Sequence, residues 1–266
     1  MKYKFINIFS LMALGIILSL TLLTYIVFKE KKEKSLDTIV IGLDDTFVPL
    51  GFRDNKGTLV GFDIDLAKEA LKSIGYKVIF QPIDWTMKEA ELNSHNIDMI
   101  WNGYTKTEKR EKQVSFSNGY LKNKQVIVVL KDSSINTKKD LKEKVVAVQN
   151  GSSSQEVLRE NKALTNTFKN QSPILFDTNN EAFMDLEEKR SDALVCDEIL
   201  AKYYISKKGN NKFKILKEDL GDEIYSVGLR KEDKALKNQL NKALKSLKDN
   251  GILKKISYKW FKEDLT

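Results

Sequence analysis

The feature that most constrains the fold is an alternation of short apolar strands and amphipathic helices. In the first half of the chain, strands are predicted at 38–44, 77–80 and 98–101, separated by helices over 61–74 and 86–94. Apolar residues recur at helical spacing in the first helix, and Met87, Ala90 and Leu92 are the predicted inner positions of the second. The order β-α-β-α-β predicts a mostly parallel sheet.

The same pattern starts again after a continuous apolar strand at 125–130. Strands are then predicted at 144–148, 174–176 and 193–195. Helices are predicted at 138–142, about 153–161, 179–189 and 198–207. Two further strands, 213–216 and 224–229, precede the closing helices 232–249 and 251–261. Two α/β units joined by apolar strands predict two lobes with a cleft between them. The chain is expected to cross between the lobes near 125–129 and 221–226, which makes these segments candidate hinges.

A candidate binding segment lies at 98–120. A polar loop, Asn102–Thr105, follows a buried strand, and Thr107 is a plausible N-cap for the helix that carries Arg110. Ligands bind at the carboxyl ends of strands in open α/β sheets, and an arginine there can hold a carboxylate through two parallel hydrogen bonds. On this segment alone, a solvated arginine on an exposed helix start is an equally good interpretation.

The N-terminus predicts a membrane anchor. Residues 5–28 contain no charged side chain, and Lys2 and Lys4 precede them. The run ends without the cysteine that bacterial lipoproteins use for lipid attachment, and no small-x-small cleavage site precedes Lys29. We therefore expect an uncleaved signal anchor over 1–28, a solvated linker over 29–36, and an extracytoplasmic location for the remainder, secreted if the anchor is cleaved.

Charge and rare residues exclude several classes of function. The net charge is +8, of which residues 1–34 contribute +4, and the remainder holds 39 basic and 35 acidic residues with interspersed signs. There is no basic stripe interleaved with aromatic residues, so nucleic-acid binding has little support. Cys196 is the only cysteine and His95 the only histidine, which excludes an intramolecular disulfide and multi-histidine zinc sites.

Seven motifs between residues 37 and 262 carry a family resemblance. They are GLDDTFVPLGF at 42–52, GTLVGFDIDLAKEA at 57–70, IDWTMKEA at 83–90, NIDMIWNGYTKTEKREKQVSFSNGYL at 96–121, KVVAVQNGSSSQE at 144–156, RSDALVCDEILAKYYI at 190–205 and GILKKISYKWF at 251–261. In their order and spacing the chain resembles the polar amino-acid-binding proteins of bacterial ABC importers, which belong to family 3 of the extracellular solute-binding proteins.

The resemblance implies the type II periplasmic-binding-protein fold, an α/β fold of two lobes joined by two hinge strands. Lobe 1 would comprise 37–126 and 224–266, and lobe 2 would comprise 127–223. The implied partners are an amino acid and the permease and ATPase subunits of the importer. No cofactor or metal is implied.

The resemblance also implies how the backbone end of an amino acid is held. Arg110 would bind the α-carboxylate, helped by Thr105 and the backbone N–H of Ser153. Asp197 would bind the α-ammonium, together with the Gly103 carbonyl and Thr105. Independently, Ser152 and Ser153 stand at a helix start, where free N–H groups favour an anion. The alternative is that these serines and Asp197 only cap helices.

By the same resemblance, Asp44, Phe47 and Trp85 would line the pocket for the ligand side chain. The two aromatic rings would sandwich the ligand, and Asp44 would offer a hydrogen-bond acceptor. Further candidate contacts are Asn102, Tyr104 and Gln149. Either aromatic residue could instead belong to the core. Cys196, Gln149 and the missing lipid-attachment cysteine depart from common patterns of the family.

The predicted function is high-affinity binding of a polar L-amino acid, glutamine first and cystine close behind. Two alternatives stay open. One is an enzyme on the same fold, similar to cyclohexadienyl dehydratase, which would need a general acid in the cleft. The other is a sensory ectodomain that signals through a partner.

Overall fold

A computed structural model describes residues 37–209 and 211–266. Thr38–Thr266 form one compact unit. The predicted anchor and linker lie outside the described residues. None of the helices in the described part of the chain combines the length and hydrophobicity that crossing a bilayer requires.

The described chain alternates strands and helices as predicted. The strands are β1 (Thr38–Leu43), β2 (Thr46–Phe47), β3 (Gly51–Arg53), β4 (Leu59–Val60), β5 (Lys77–Pro82), β6 (Met99–Ile100), β7 (Ser115–Phe116), β8 (Leu121–Leu130), β9 (Val146–Gln149), β10 (Ile174–Phe176), β11 (Ala193–Asp197), β12 (Phe213–Ile215), β13 (Asp222–Tyr225) and β14 (Gly228–Leu229). The α-helices are α1 (Phe62–Ser73), α2 (Lys88–Asn93), α3 (Glu108–Glu111), α4 (Ser153–Glu160), α5 (Lys162–Thr165), α6 (Asn179–Glu187), α7 (Glu198–Lys208), α8 (Lys234–Asp249) and α9 (Ile252–Phe261). Single 3₁₀ turns occupy Trp85–Met87 and Lys138–Leu141.

Two mixed sheets form the centres of the two lobes. The first has the order β5-β1-β6-β14-β7, with β5, β1 and β6 parallel and β14 antiparallel to β6 and β7. The second has the order β10-β9-β11-β8-β12, with β10, β9 and β11 parallel and β8 antiparallel to both its neighbours. This is the α/β type II fold that the sequence predicts.

The two crossing strands, β8 and β13, pair with each other. Residues 121–124 of β8 lie antiparallel to residues 222–225 of β13. The later part of β8, from Gln125 onward, runs into the second sheet. The first crossing therefore lies slightly earlier in the chain than the predicted 125–129, whereas the second agrees with 221–226.

The apolar faces of the helices bury against the sheets. In α1, Leu66, Ala67, Ala70 and Leu71 are fully buried, as the helical spacing predicts. Helices α1, α8 and α9 pack against one another beside the first sheet. The ring of Phe261 in α9 lies 5.0 Å from the ring of Phe62. This packing fixes one end of α1, which carries Asp63, a residue that contacts Gly103.

Two local predictions were wrong, and one small sheet was not predicted. The small antiparallel sheet β2-β3-β4 was not predicted, because its strands have only two or three residues. The single strand predicted over 224–229 is two strands, β13 and β14. Met87 is 48% exposed and Ala90 is also exposed, because a 3₁₀ turn precedes α2 and shifts the helical phase so that Lys88 points inward instead.

Candidate functional site

The carboxyl ends of the parallel strands in both sheets face the same region. Asp44 directly follows β1, and Asn102 and Gly103 follow β6. In the second sheet, Gln149 ends β9 and Asp197 ends β11. Polar side chains from two lobes therefore converge on one place, as expected where parallel strands end together.

These residues enclose a cavity of about 10 Å³, which accommodates roughly one water molecule. Ten of the twelve predicted site residues line it: Asp44, Phe47, Trp85, Asn102, Gly103, Arg110, Gln149, Ser152, Ser153 and Asp197. Tyr104 and Thr105 are not part of the cavity wall. This volume is smaller than an amino acid, so a bound amino acid requires side chains that now contact each other across the cavity to move apart.

Arg110 is buried, which excludes the solvated alternative. Thr107 caps α3 by accepting a hydrogen bond from the Arg110 N–H at 3.2 Å, as predicted. The guanidinium donates to the Thr105 carbonyl at 3.0 Å and to the Gly151 carbonyl of the other lobe at 3.3 Å. Its Nε lies 3.7 Å from Glu156 and makes no hydrogen bond with the described residues. Carbonyl oxygens are weaker partners for a guanidinium than a carboxylate, so a ligand carboxylate could replace them favourably.

Tyr104 lies behind Arg110 and supports it. Its ring is 4.7 Å from the guanidinium carbon and 5.2 Å from the ring of Phe116, on which it stacks. Its hydroxyl donates to Glu89 at 2.8 Å. Burial raises the pKa of this hydroxyl far above its ordinary value. Tyr104 therefore orients the arginine through a cation–π contact.

The side chain of Asp197 does not cap the helix that it precedes. Its Oδ1 instead accepts hydrogen bonds from Asn123 at 2.6 Å, from Gln125 at 3.0 Å and from the Tyr225 hydroxyl at 2.6 Å. Burial, and secondly the charge of Glu223, raise the pKa of the Asp197 carboxyl to about 7. A buried carboxylate that lines a cavity favours a cationic partner there.

Four residues of this polar cluster were not predicted from the sequence: Asn123, Gln125, Glu223 and Tyr225. All four are buried and lie on the paired strands β8 and β13. A period-two signal was available, because Asn123 and Gln125 alternate with the exposed or half-exposed Lys122 and Lys124. The polarity of the whole stretch hid that alternation.

A second polar group surrounds Asp44. Its carboxylate accepts from the Thr46 N–H at 2.9 Å and from Gln149 at 2.9 Å. Gln149 is held in turn by Asn179, which donates to its Oε1 at 2.7 Å. The Nδ2 of Asn102 is buried and has no partner among the described residues. Burial raises the pKa of Asp44. This end of the cavity offers both acceptors and donors.

The two predicted aromatic residues, Phe47 and Trp85, line the cavity and are largely buried. Trp85 packs edge-to-face on Tyr104 with ring centroids 6.0 Å apart. The Lys88 ammonium lies 5.1 Å from the Trp85 ring and donates to the Trp85 carbonyl at 2.9 Å. Both aromatic residues thus have core contacts on one side and the cavity on the other.

The backbone conformation and the close neighbours at position 103 require a glycine. Its φ of +56° is in the left-handed region, and a Cβ there would lie 2.7 Å from atoms of Leu50 and Phe47. Its N–H donates to the Asp63 carboxylate at 2.7 Å. Asp63 is completely buried, which raises its pKa to about 7, and it also accepts from the Tyr120 hydroxyl at 2.9 Å. Asp63 therefore fixes the loop that faces the cavity.

Several hydrogen bonds join the lobes directly around the cavity. Lys88 donates to the Gly151 carbonyl at 3.0 Å, and the Thr105 hydroxyl contacts the Ser153 hydroxyl at 3.2 Å. Burial lowers the pKa of Lys88 to about 8. At the rim, Thr107 and Lys109 both donate to Glu156. These contacts hold the lobes together on the side where α3 faces α4.

The chain has relatives of known structure and activity. A substrate-binding protein of an ABC uptake transporter from Streptococcus pneumoniae, solved with bound histidine, is 43% identical with a TM-score of 0.84, over 86% of this chain and 94% of that one. The arginine-binding extracellular protein ArtP of Bacillus subtilis (strain 168) is 32% identical over 86% of this chain and 88% of its own length. The L-cystine-binding protein TcyJ of Escherichia coli (strain K12) is 30% identical over 88% and 86%. The model of the bacterial extracellular solute-binding proteins, family 3, matches residues 39–263, and the chain belongs to that family.

Proposed function

We propose that this protein is the extracytoplasmic substrate-binding subunit of an ABC importer and that it binds a polar L-amino acid between its two lobes. The observation that carries the proposal is that Arg110 of one lobe and Asp197 of the other line the same buried cavity. One positive and one negative side chain match the two charges of an amino acid backbone. Family membership and the three relatives named above support the same function.

In this proposal, the carboxylate of the ligand binds Arg110 and the N–H groups at the start of α4, near Ser152 and Ser153. The ammonium binds Asp197 and the Gly103 carbonyl. Only the closed arrangement brings both charges within reach of the ligand. Binding free energy is therefore realised on closure, which shifts the population of the protein toward the closed state.

The proposed side-chain pocket comprises Asp44, Phe47, Trp85, Asn102 and Gln149. Asp44 accepts hydrogen bonds, whereas Gln149 and the Asn102 amide can donate. A polar side chain with N–H donors satisfies Asp44, and the aromatic rings cover its apolar stem. Glutamine and cystine stay the first candidates. Arginine and histidine follow, because relatives of this chain bind them.

We further propose that the chain is a binding protein rather than an enzyme, and that its N-terminal segment holds it at the outer face of the membrane. Among the described residues that line the cavity, Asp44 is the one acid outside the proposed ammonium site, and its carboxyl has a raised pKa. Asp44 is therefore the candidate general acid if the dehydratase alternative applies. It is already engaged by Thr46 and Gln149, an arrangement suited to holding a ligand.

A thermal-shift screen against the standard L-amino acids and cystine tests the proposal. A ligand at a hundred times its Kd adds about 2.7 kcal/mol to the free energy of unfolding, which raises Tm measurably. We expect one amino acid or a small group with related side chains to raise Tm. If none does, the proposed function is wrong. Consumption of a cyclohexadienyl amino acid by the purified protein would favour the enzyme instead.

A further inference from the structure

Glu223 lies on the crossing strand β13, and its carboxylate points into the interior. Its Oε2 accepts hydrogen bonds from the Thr105 hydroxyl at 3.0 Å, from Asn123 at 3.0 Å and from Gln125 at 2.9 Å. The neighbouring residues on the strand, Asp222 and Ile224, are exposed. Strand alternation therefore directs Glu223 alone of these three inward, to a position behind the cavity wall that Asp197 lines.

The same two amide groups also hold Asp197. Nδ2 of Asn123 and Nε2 of Gln125 donate to Asp197 Oδ1 at 2.6 and 3.0 Å. Each amide nitrogen thus lies within 3.0 Å of an oxygen from both acids, which places the two carboxyl groups side by side. Thr105 links Glu223 to Ser153 at the start of α4.

Neither Asp197 nor Glu223 forms a salt bridge with any residue in 37–209 or 211–266. Arg110, the cation of the cavity wall, bonds to the carbonyls of Thr105 and Gly151 instead. Two buried carboxylates that share neutral donors repel each other, and burial without a cation is costly. A cationic group of a ligand would relieve both effects.

We propose that Glu223, which lies behind Asp197 and shares its amide donors, adds a second negative charge to the ammonium subsite, so that both carboxylates provide the counter-charge for the α-ammonium of the ligand. This inference rests on the proposed function. Two acids discriminate more strongly than one against analogues that lack a cationic amine. The pair thus makes the site selective for amino acids over the corresponding 2-hydroxy acids.

The test compares two ligands in three variants. The ligands are the L-amino acid that raises Tm most and its 2-hydroxy analogue, and the measured quantity is the ratio of their Kd values. Glu223→Gln keeps an oxygen that can accept from Thr105, Asn123 and Gln125 but removes the charge. Glu223→Asp keeps the charge. Asp222→Asn is the matched control, because it removes a carboxylate from the exposed face of the same strand, where Asp222 pairs with Lys124.

We expect Glu223→Gln to weaken amino-acid binding about 10-fold or more while leaving the affinity for the 2-hydroxy acid nearly unchanged, so the ratio falls about 10-fold. Glu223→Asp and Asp222→Asn should keep the ratio within about 3-fold of the wild type. The inference is overturned if Glu223→Gln keeps the wild-type ratio of Kd values. It is also overturned if Glu223→Gln and Glu223→Asp lower this ratio equally, because Glu223 then has a purely structural role. Wild-type protein that binds no amino acid overturns the proposed function and this inference with it.

Discussion

The Gln149 amide of one lobe donates a hydrogen bond to the Asp44 carboxylate of the other at 2.9 Å, across the cavity. Asn179 and the Asp177 carbonyl hold the Gln149 amide in this orientation. The cavity of about 10 Å³ is smaller than a polar amino-acid side chain, so we expect this bond to open when a ligand binds. Under the proposed function, the polar end of the ligand side chain takes the place of this bond.

Asp44→Asn should weaken binding of the cognate amino acid about 10- to 100-fold, because the amide is a weaker acceptor for side-chain N–H donors than the carboxylate. Binding of alanine, if measurable, should change little. Asp45→Asn is the control, since Asp45 is adjacent but pairs with the exposed Arg53. Calorimetric titration measures the Kd of the cognate amino acid and of alanine for both variants. Equal losses for the cognate ligand and alanine would contradict the assignment of Asp44 to the side-chain pocket.

Arg110→Ala should strongly weaken amino-acid binding. The loss of the partner of a buried ligand carboxylate costs about 2–5 kcal/mol, or roughly 30- to several thousand-fold in Kd. Lys109→Ala tests the neighbouring cation, an exposed side chain whose one ion pair among the described residues is with Glu156, and its Kd should stay within about 3-fold of the wild type. Unchanged binding by a folded Arg110→Ala protein would refute its role as the carboxylate site.

Gly103→Ala should both destabilise the protein and weaken binding, because the new methyl group would meet Leu50 and Phe47 and the backbone has positive φ. We expect a loss of about 2–4 kcal/mol in the free energy of unfolding. Gly57→Ala has a similar φ of +77° but open space around it, so its cost should be about 1 kcal/mol. Chemical denaturation of the two variants measures the difference, and equal losses would show that the close approach at Gly103 is unimportant.

The ionisation of Asp63 should lower the free energy of unfolding as the pH rises. Its folded-state pKa of about 7 lies above the ordinary 3.8, so the protonated form stabilises the fold at low pH and this stability is lost as the pH rises through 7. Asp63→Asn keeps an acceptor for Gly103 and Tyr120 but cannot ionise. Its stability relative to the wild type should rise by about 2–3 kcal/mol between pH 5 and pH 8.

Measuring this difference in urea at each pH cancels the contribution of Asp197, whose carboxyl also has a raised pKa and is present in both proteins. A difference between the two proteins that does not change with pH would mean that Asp63 is ionised throughout.

The sequence predicted the strands and helices that carry Arg110 and Asp197, because apolar strands and helical spacing are local signals. The carboxyl-edge rule and the family motifs then indicated ten residues that line one cavity. The prediction failed where burial depends on distant pairing. Glu223 and Asn123 become interior residues only because β13 pairs with β8 about a hundred positions away in sequence.

Tyr104 illustrates a different limit. The sequence indicated that it lies near the ligand, but its position behind Arg110 depends on the ring of Phe116 and the Glu89 carboxylate. Likewise, the inward side chain of Lys88 follows from the 3₁₀ turn before α2, which the apolar spacing did not reveal. Side-chain direction within a correctly predicted segment is set by contacts from other segments.

The most direct test of the proposed binding of the ligand by Arg110 and Asp197 is a crystal structure of the protein with the amino acid that raises its Tm most. We predict two hydrogen bonds of about 2.7–3.1 Å from the Arg110 guanidinium to the ligand carboxylate. We also predict the ammonium within about 3 Å of Asp197. A ligand bound outside this cavity, or one whose carboxylate and ammonium contact neither residue, would contradict the proposal.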